Sequence, residues 1–148
     1  MLNTIRYAIL LSLMVLYSIS SYGTHAAGMD ISYECISQGT NSDTYKITLK
    51  FYRDCSGWIG ASSHPMNYSS SCGSGSITLS CINWTTPNIV NPTCLTSCNG
   101  GSTVGIEEWT FEGTVTLAHC SDWVLSVCEC CRNGNAITTI NGSPQLCV

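Results

Sequence analysis

Between Thr44 and Arg53 the chain alternates with a period of two. Tyr45, Ile47, Leu49 and Phe51 are separated by Lys46, Thr48, Lys50 and Tyr52. Apolar residues at every second position share one face of an extended backbone, so this segment predicts a half-buried β-strand. The same period returns from Glu108 to Leu117, where Trp109, Phe111, Gly113, Val115 and Leu117 oppose Thr110, Glu112, Thr114 and Thr116. Asp30 to Ile36 puts Ile31, Tyr33 and Cys35 on one face and predicts a partner for the first strand, with the polar run 37–43 (SQGTNSD) as the hairpin loop between them. Shorter strands are predicted at Ser76 to Ile82, Trp123 to Cys128 and Ala136 to Ile140. The pattern holds about six strands and no helical stripe, which implies an all-β fold, an antiparallel β-sandwich of the immunoglobulin-like kind.

The first two dozen residues follow a different pattern. Arg6 precedes an apolar run from Tyr7 to Ile19, broken only by Ser12 and Ser18, and small residues come next. This is the layout of a cleaved export signal, with a cleavage site after Gly23, where Ser21 takes the −3 position, or after Ala26 or Ala27. The run is shorter than the stretch of about 20 apolar residues that spans a bilayer. Residues 1–23 are therefore read as a signal peptide, and 24–148 as one disulfide-rich module. The final Leu146-Cys147-Val148 has the character of a strand, which gives the expectation that the module belongs to a longer chain.

Composition sharpens this reading. Eleven of the 148 residues are cysteines, at 35, 55, 72, 81, 94, 98, 120, 128, 130, 131 and 147, all beyond the signal. In an exported chain such density is a disulfide framework. The count is odd, so at least one sulfur lacks an intrachain partner. After the signal only Lys46, Lys50, Arg53 and Arg132 oppose nine carboxylates, which leaves no footprint for a phosphate backbone and argues against nucleic acid as a partner.

A polar segment from Asp54 to Ser76, with Gly57, Gly60, Pro65 and three consecutive serines, reads as a long loop. A loop of that length in a compact module needs pinning. Cys55 and Cys72 bracket most of it, and we expect them to pair.

Candidate chemistry is sparse. The spacings Cys94-x-x-x-Cys98 and Cys128-x-Cys130-Cys131 suit thiolate ligands of zinc, but an oxidising destination favours disulfides, and no metal or other cofactor is expected. His119 adjoins Cys120, yet neighbours on a strand point to opposite faces. No motif surrounds His25, His64 or His119, so all three read as surface residues, His64 within a mobile loop. Glu107, Glu108 and Glu112 are too close in sequence to form a carboxylate pair across a cleft and read as a solvated acidic face. Trp109 and Trp123 fit core positions. Trp58 and Trp84 fall in loops, as ligand-contacting aromatics or as covers for nearby disulfides. Asn67, Asn83 and Asn141 begin matches to the N-glycosylation pattern, which matter only in a eukaryotic source.

Residues 25–35 (HAAGMDISYEC), 44–55 (TYKITLKFYRDC) and 105–133 (GIEEWTFEGTVTLAHCSDWVLSVCECCRN) resemble the N-terminal region of large surface proteins of Bacteroidetes, of the gliding-motility-associated and PKD-repeat kinds that leave the cell by type IX secretion. The resemblance implies delivery to the outer surface, a structural or adhesive role with protein or glycan ligands, contact with a membrane only during export, and no catalytic residues. The chain departs from that pattern in carrying neither the repeats nor the C-terminal sorting domain. The alternative function is a secreted carbohydrate-binding domain attached to, or acting as, a hydrolase.

Overall fold

The computed structural model describes residues 26–57, 61–129 and 146–148. The expected signal peptide, Trp58, Cys130, Cys131, Arg132, Asn141 and the expected strand at Ala136 to Ile140 lie outside these residues.

The described residues form nine strands in antiparallel ladders: β1 (Ala26–Gln38), β2 (Ser42–Asp54), β3 (Ser63–Ser70), β4 (Gly73–Cys81), β5 (Asn88–Ile89), β6 (Ile106–Ala118), β7 (Val124–Ser126), β8 (Cys128–Glu129) and β9 (Leu146–Cys147). The all-β, disulfide-stapled architecture is the one the alternation predicts. Seven strands make one sheet in the order β1-β2-β6-β4-β3-β7, with β5 on β6, while β8 and β9 pair separately. β2 and β6 pair along their full lengths, Ser42 opposite Ala118 and Asp54 opposite Ile106. β4 meets β6 only at Ser80–Glu112 and Cys81–Phe111. Past that short ladder β3 and β4 lie against the inner face of β2 and β6, with His64 beside Phe51 and Phe111 and Leu79 beside Gly113.

The alternation decides what is inside. Ile47, Leu49 and Phe51 of β2 meet Trp109, Phe111, Val115 and Leu117 of β6, with Met66, Leu79 and Val127 closing from the other layer. Phe111, Ile47, Leu49, Met66, Leu79 and Val127 are the largest fully buried side chains, each contributing about 1.5–3 kcal/mol by leaving water. Gly113 sits where the layers come close together. A Cβ there would lie 2.8 Å from Leu79 Cδ2 and 3.3 Å from the Thr78 carbonyl oxygen. Beyond the end of β4 the Asn83 side chain continues the ladder, accepting from Thr110 N–H at 2.8 Å and donating to the Glu108 carbonyl at 3.2 Å.

The segment expected to be a long loop is instead a hairpin. β3 and β4 pair from Ser63–Ser80 to Ser70–Gly73, with Ser71 and Cys72 at the turn and Gly73 at a positive φ of 148°. The expected Cys55–Cys72 bridge fails for this reason. Cys55 lies at the base of β2 and Cys72 at the hairpin tip, about the length of an eight-residue strand away, roughly 25 Å. A disulfide needs Cα atoms within about 7 Å. Among the described residues the bridges are Cys55–Cys98, Cys72–Cys120 and Cys128–Cys147. Cys35, Cys81 and Cys94 carry no bridge.

The turn-rich run between β4 and β6 is held from both ends. Cys55–Cys98 ties it to β2, and Cys55 N–H donates to the Gly105 carbonyl at 3.0 Å. Within it, Asn99 Oδ1 accepts from Thr96 N–H and Nδ2 donates to the Cys94 and Pro92 carbonyls. The expected strand at Trp123 to Cys128 divides into β7 and β8 on either side of Val127, whose backbone exchanges two hydrogen bonds with Val148 (2.9 and 3.0 Å).

Candidate functional site

The inner face of the sheet is apolar along most of its length but is not covered at one end. Tyr33 of β1 pairs in register with Ile47, and Tyr45 of β2 with Cys35, so both tyrosines project inward. The second layer stops short of them, leaving Tyr33 71% exposed. Their rings meet edge-to-face, with centroids 6.0 Å apart and planes at 77°. Leu117 of β6 forms the floor beside them. The opposite wall is the segment between β6 and β7, with Trp123 and Ser121, continued by Leu125. Together they enclose a cleft of about 210 Å³.

That wall is fixed by covalent and polar ties to the β3–β4 turn. Cys120 is bridged to Cys72, and both Ser71 N–H (2.8 Å) and Ser71 Oγ–H (3.2 Å) donate to the Asp122 carboxylate. The Ser71 amide holds the Asp122 carboxyl below its usual pKa range. Trp123 Nε1–H donates to the Ala118 carbonyl at 2.9 Å, and its ring meets Tyr68 edge-to-face at 5.8 Å. The indole is thus set in one orientation, with its polar atom already satisfied. At the rim His119 Nε2 lies 3.1 Å from Asp43 Oδ1. This contact, then the Gly39 amide, lowers the Asp43 pKa. Three aromatic rings and two leucines therefore line the cleft, with Cys120 and Ser121 as its remaining lining.

The opposite end of the inner face is polar and closed. Arg53 and Glu107 are buried partners, and Glu107 Oε1 also accepts from Trp109 Nε1–H at 2.8 Å. The Arg53 guanidinium lies 5.5 Å from the Trp109 ring centre. His64 is not the surface residue of a mobile loop that its polar neighbourhood predicts. It sits on β3, 4% exposed, between Phe51 (5.4 Å) and Phe111 (4.6 Å), with Nδ1 3.2 Å from Glu129 Oε2. Burial lowers its pKa from the ordinary 6.5, opposed by the Glu129 charge.

The acidic trio is likewise not a freely solvated face. Glu107 points inward to Arg53. Glu112 and Glu108 point outward and pair with Lys46 (2.7 Å) and Lys50 (3.3 Å). These partners raise the pKa of each lysine.

No family model, curated protein or solved structure matches this chain.

Of the aromatics singled out in the sequence, Trp84 is 55% exposed and does not line the cleft. Trp109 is in the core as expected, and Trp123 packs partly buried against it. The zinc-like spacing at Cys94 and Cys98 is broken by the bridge from Cys98 to Cys55. Among the described residues no group of three or more His, Cys, Asp or Glu side chains is placed to hold a metal ion. Sequence reading missed the cleft although it put Tyr33 and Tyr45 on inward faces. The available signal was two tyrosines near the same hairpin end, where a shorter covering layer leaves rings bare.

Proposed function

We propose that this chain is a non-catalytic, extracellular or cell-surface module of a bacterial envelope protein, with a structural and adhesive role, and that it holds its protein or glycan ligand at the aromatic cleft. The observation that carries the reading is the cleft itself: Tyr33, Tyr45 and Trp123 face one space whose wall is locked by Cys72–Cys120. A ring held before a ligand arrives, as Trp123 is by its bond to the Ala118 carbonyl and its contact with Tyr68, loses little side-chain entropy on binding. Three disulfides suit an oxidising compartment. The resemblance to Bacteroidetes surface proteins supports the same placement.

The second reading, a carbohydrate-binding domain serving a hydrolase, uses the same rings as a stacking platform. Both are tested by displaying the oxidised module on cells and on beads, then measuring adhesion to envelope surfaces and retention on a glycan array. Tyr33→Ser combined with Trp123→Leu should lower retention by tenfold or more, the scale of losing central aromatic anchors. Undiminished retention by a variant of unchanged melting temperature would remove the cleft from the function.

A further inference from the structure

The strand that supplies Tyr33 is also an edge of the sheet. β1 pairs with β2 and with no other described strand, and β9 packs against it without pairing. From Gly28 to Cys35 its register with β2 runs without a break, the irregularities lying at Ala26/Gly28 and Cys35/Ser37. Every residue from Ser32 to Gln38 is exposed. Folded proteins usually blunt such an edge with lysine, proline, a mid-strand bulge or a cover. β1 has no lysine, arginine or proline. No described residue pairs with its outer row of N–H and C=O groups, where a further strand would lie at the spacing of a sheet, about 4.8 Å.

The two faces of this edge differ. Inward, Tyr33 leads directly into the aromatic cleft. Outward, Asp30 and Glu34 stand opposite Lys50 and Lys46 in the β1–β2 ladder. Those lysines are already committed on their other side to Glu108 and Glu112. Two ammonium groups serve four carboxylates, and the pair on β1 is the one left at the boundary.

We propose that β1 is a docking edge for an extended polypeptide strand of alternating apolar and basic residues. Its backbone continues the sheet, its apolar side chains enter the cleft beside Tyr33, and its basic side chains meet Asp30 and Glu34. A strand's period of two satisfies both faces at once, since residues i and i+2 point inward while i+1 points outward. Main-chain bonds supply attachment, and the cleft and the carboxylates supply selection. A second copy of β1 is a poor occupant. Any register that keeps its apolar face inward sets Asp30 and Glu34 against acidic or neutral residues, because the strand holds no base. The pattern that fits is the one β2 presents from the other side, with Lys46 and Lys50 outward and Ile47 and Leu49 inward. This inference rests on the cleft being the contact site and names the partner class as polypeptide.

The test uses the whole oxidised chain and a labelled synthetic peptide with the sequence of residues 44–53, TYKITLKFYR, read by fluorescence anisotropy. Two further peptides carry N-methyl groups on alternate residues, one set in each phase, and a third has glutamate at both lysine positions. We expect the parent peptide to bind, the glutamate peptide to bind at least about fivefold more weakly, and only one of the methylated phases to bind. Asp30→Lys with Glu34→Lys should invert the lysine-over-glutamate preference, and Tyr33→Ser should weaken the parent peptide. Equal binding of both methylated phases, no binding up to about 1 mM, or a dimer whose edge is already filled by a second copy would overturn the proposal. A glycan that saturates the cleft without needing Asp30 or Glu34 would also overturn it. If the peptide fails while Tyr33→Ser with Trp123→Leu still abolishes surface retention, the strand partner is wrong and the binding cleft survives. If those substitutions leave retention unchanged, the cleft reading itself is lost.

Discussion

Arg53 and Glu107 face each other across the β2–β6 ladder, and the single Glu107 oxygen that takes the Arg53 Nε–H also takes the Trp109 indole N–H. Both residues are nearly inaccessible to water, with exposures of 4% and 9%. Removing one member leaves the other charge buried without its counterpart. Glu107→Gln should therefore destabilise the module by about 3–5 kcal/mol. Urea unfolding of the oxidised protein measures it, and a loss under 1 kcal/mol would mean that water already reaches Arg53.

His64 makes stability depend on pH. Its pKa in the fold is below the ordinary 6.5 because burial disfavours the imidazolium, so the unfolded chain takes up the proton first. Stability from this residue is intact above about pH 7 and falls as pH drops through 6.5, until the native imidazole is protonated as well. The carboxyls of Asp43 and Asp122, with pKa values below 3.8, are lost only at lower pH. Urea midpoints at pH 7.5 and 5.5 should differ in the native protein. The difference should shrink in His64→Gln after correction for its lower baseline, and an equal difference in both would assign the effect elsewhere.

The covalent framework gives a ranking. Cys72–Cys120 spans 48 residues and Cys128–Cys147 spans 19. Loop-closure entropy alone assigns about 4 kcal/mol to the first and about 3 kcal/mol to the second. Replacing each pair by serines should follow that order in thermal unfolding. The Cys72/Cys120 replacement should in addition weaken ligand retention, because the wall that carries Trp123 is then held only by the Ser71–Asp122 hydrogen bonds. Unreduced peptide mapping checks the connectivity directly.

The three unbridged thiols among the described residues should differ in reactivity. Cys35 and Cys94 are exposed, whereas Cys81 is half-buried and burial pushes its pKa up. Thiolate is the reacting species. Timed alkylation at pH 8 with mass-spectrometric readout should label Cys35 and Cys94 well before Cys81. Equal rates would show that the β4–β6 junction opens freely.

Gly113 is required by closeness rather than by conformation. Gly113→Val would drive a side chain into Leu79 and the Thr78 carbonyl, and should cost about 1–3 kcal/mol, the scale of overpacking. A neutral result would show that the layers separate easily at that point.

How far the sequence foretells this molecule depends on which face of each strand is buried. β2 and β6 are read correctly because one face is continuously apolar and the other polar, from Tyr45 to Phe51 and from Trp109 to Leu117. β3 is unreadable by the same rule. Its inward residues are His64, Met66 and Tyr68, its outward ones Pro65, Asn67 and Ser69, and the histidine and proline both argue for a loop. Proline is tolerated because β7 pairs only with Asn67 to Ser69, so among the described residues the edge at Pro65 has no partner that needs its missing N–H. Once β3 is mistaken for a loop, Cys55 and Cys72 look like its two ends, and the wrong bridge follows. The cleft escapes for another reason. Alternation says which residues point inward but not where the covering layer stops, and Tyr33 and Tyr45 lie just past that limit.

The Asp122 carboxylate that receives both Ser71 donors sits two residues from the cysteine joining the same two segments. If the sulfur bond is cut, polar contacts still hold the hairpin tip near its place, and the thiols stay side by side. Damage by a reductant is then reversible at this spot once an oxidised thiol couple takes up the two electrons, because the two thiols can rejoin in the same pairing without the chain having to search for it.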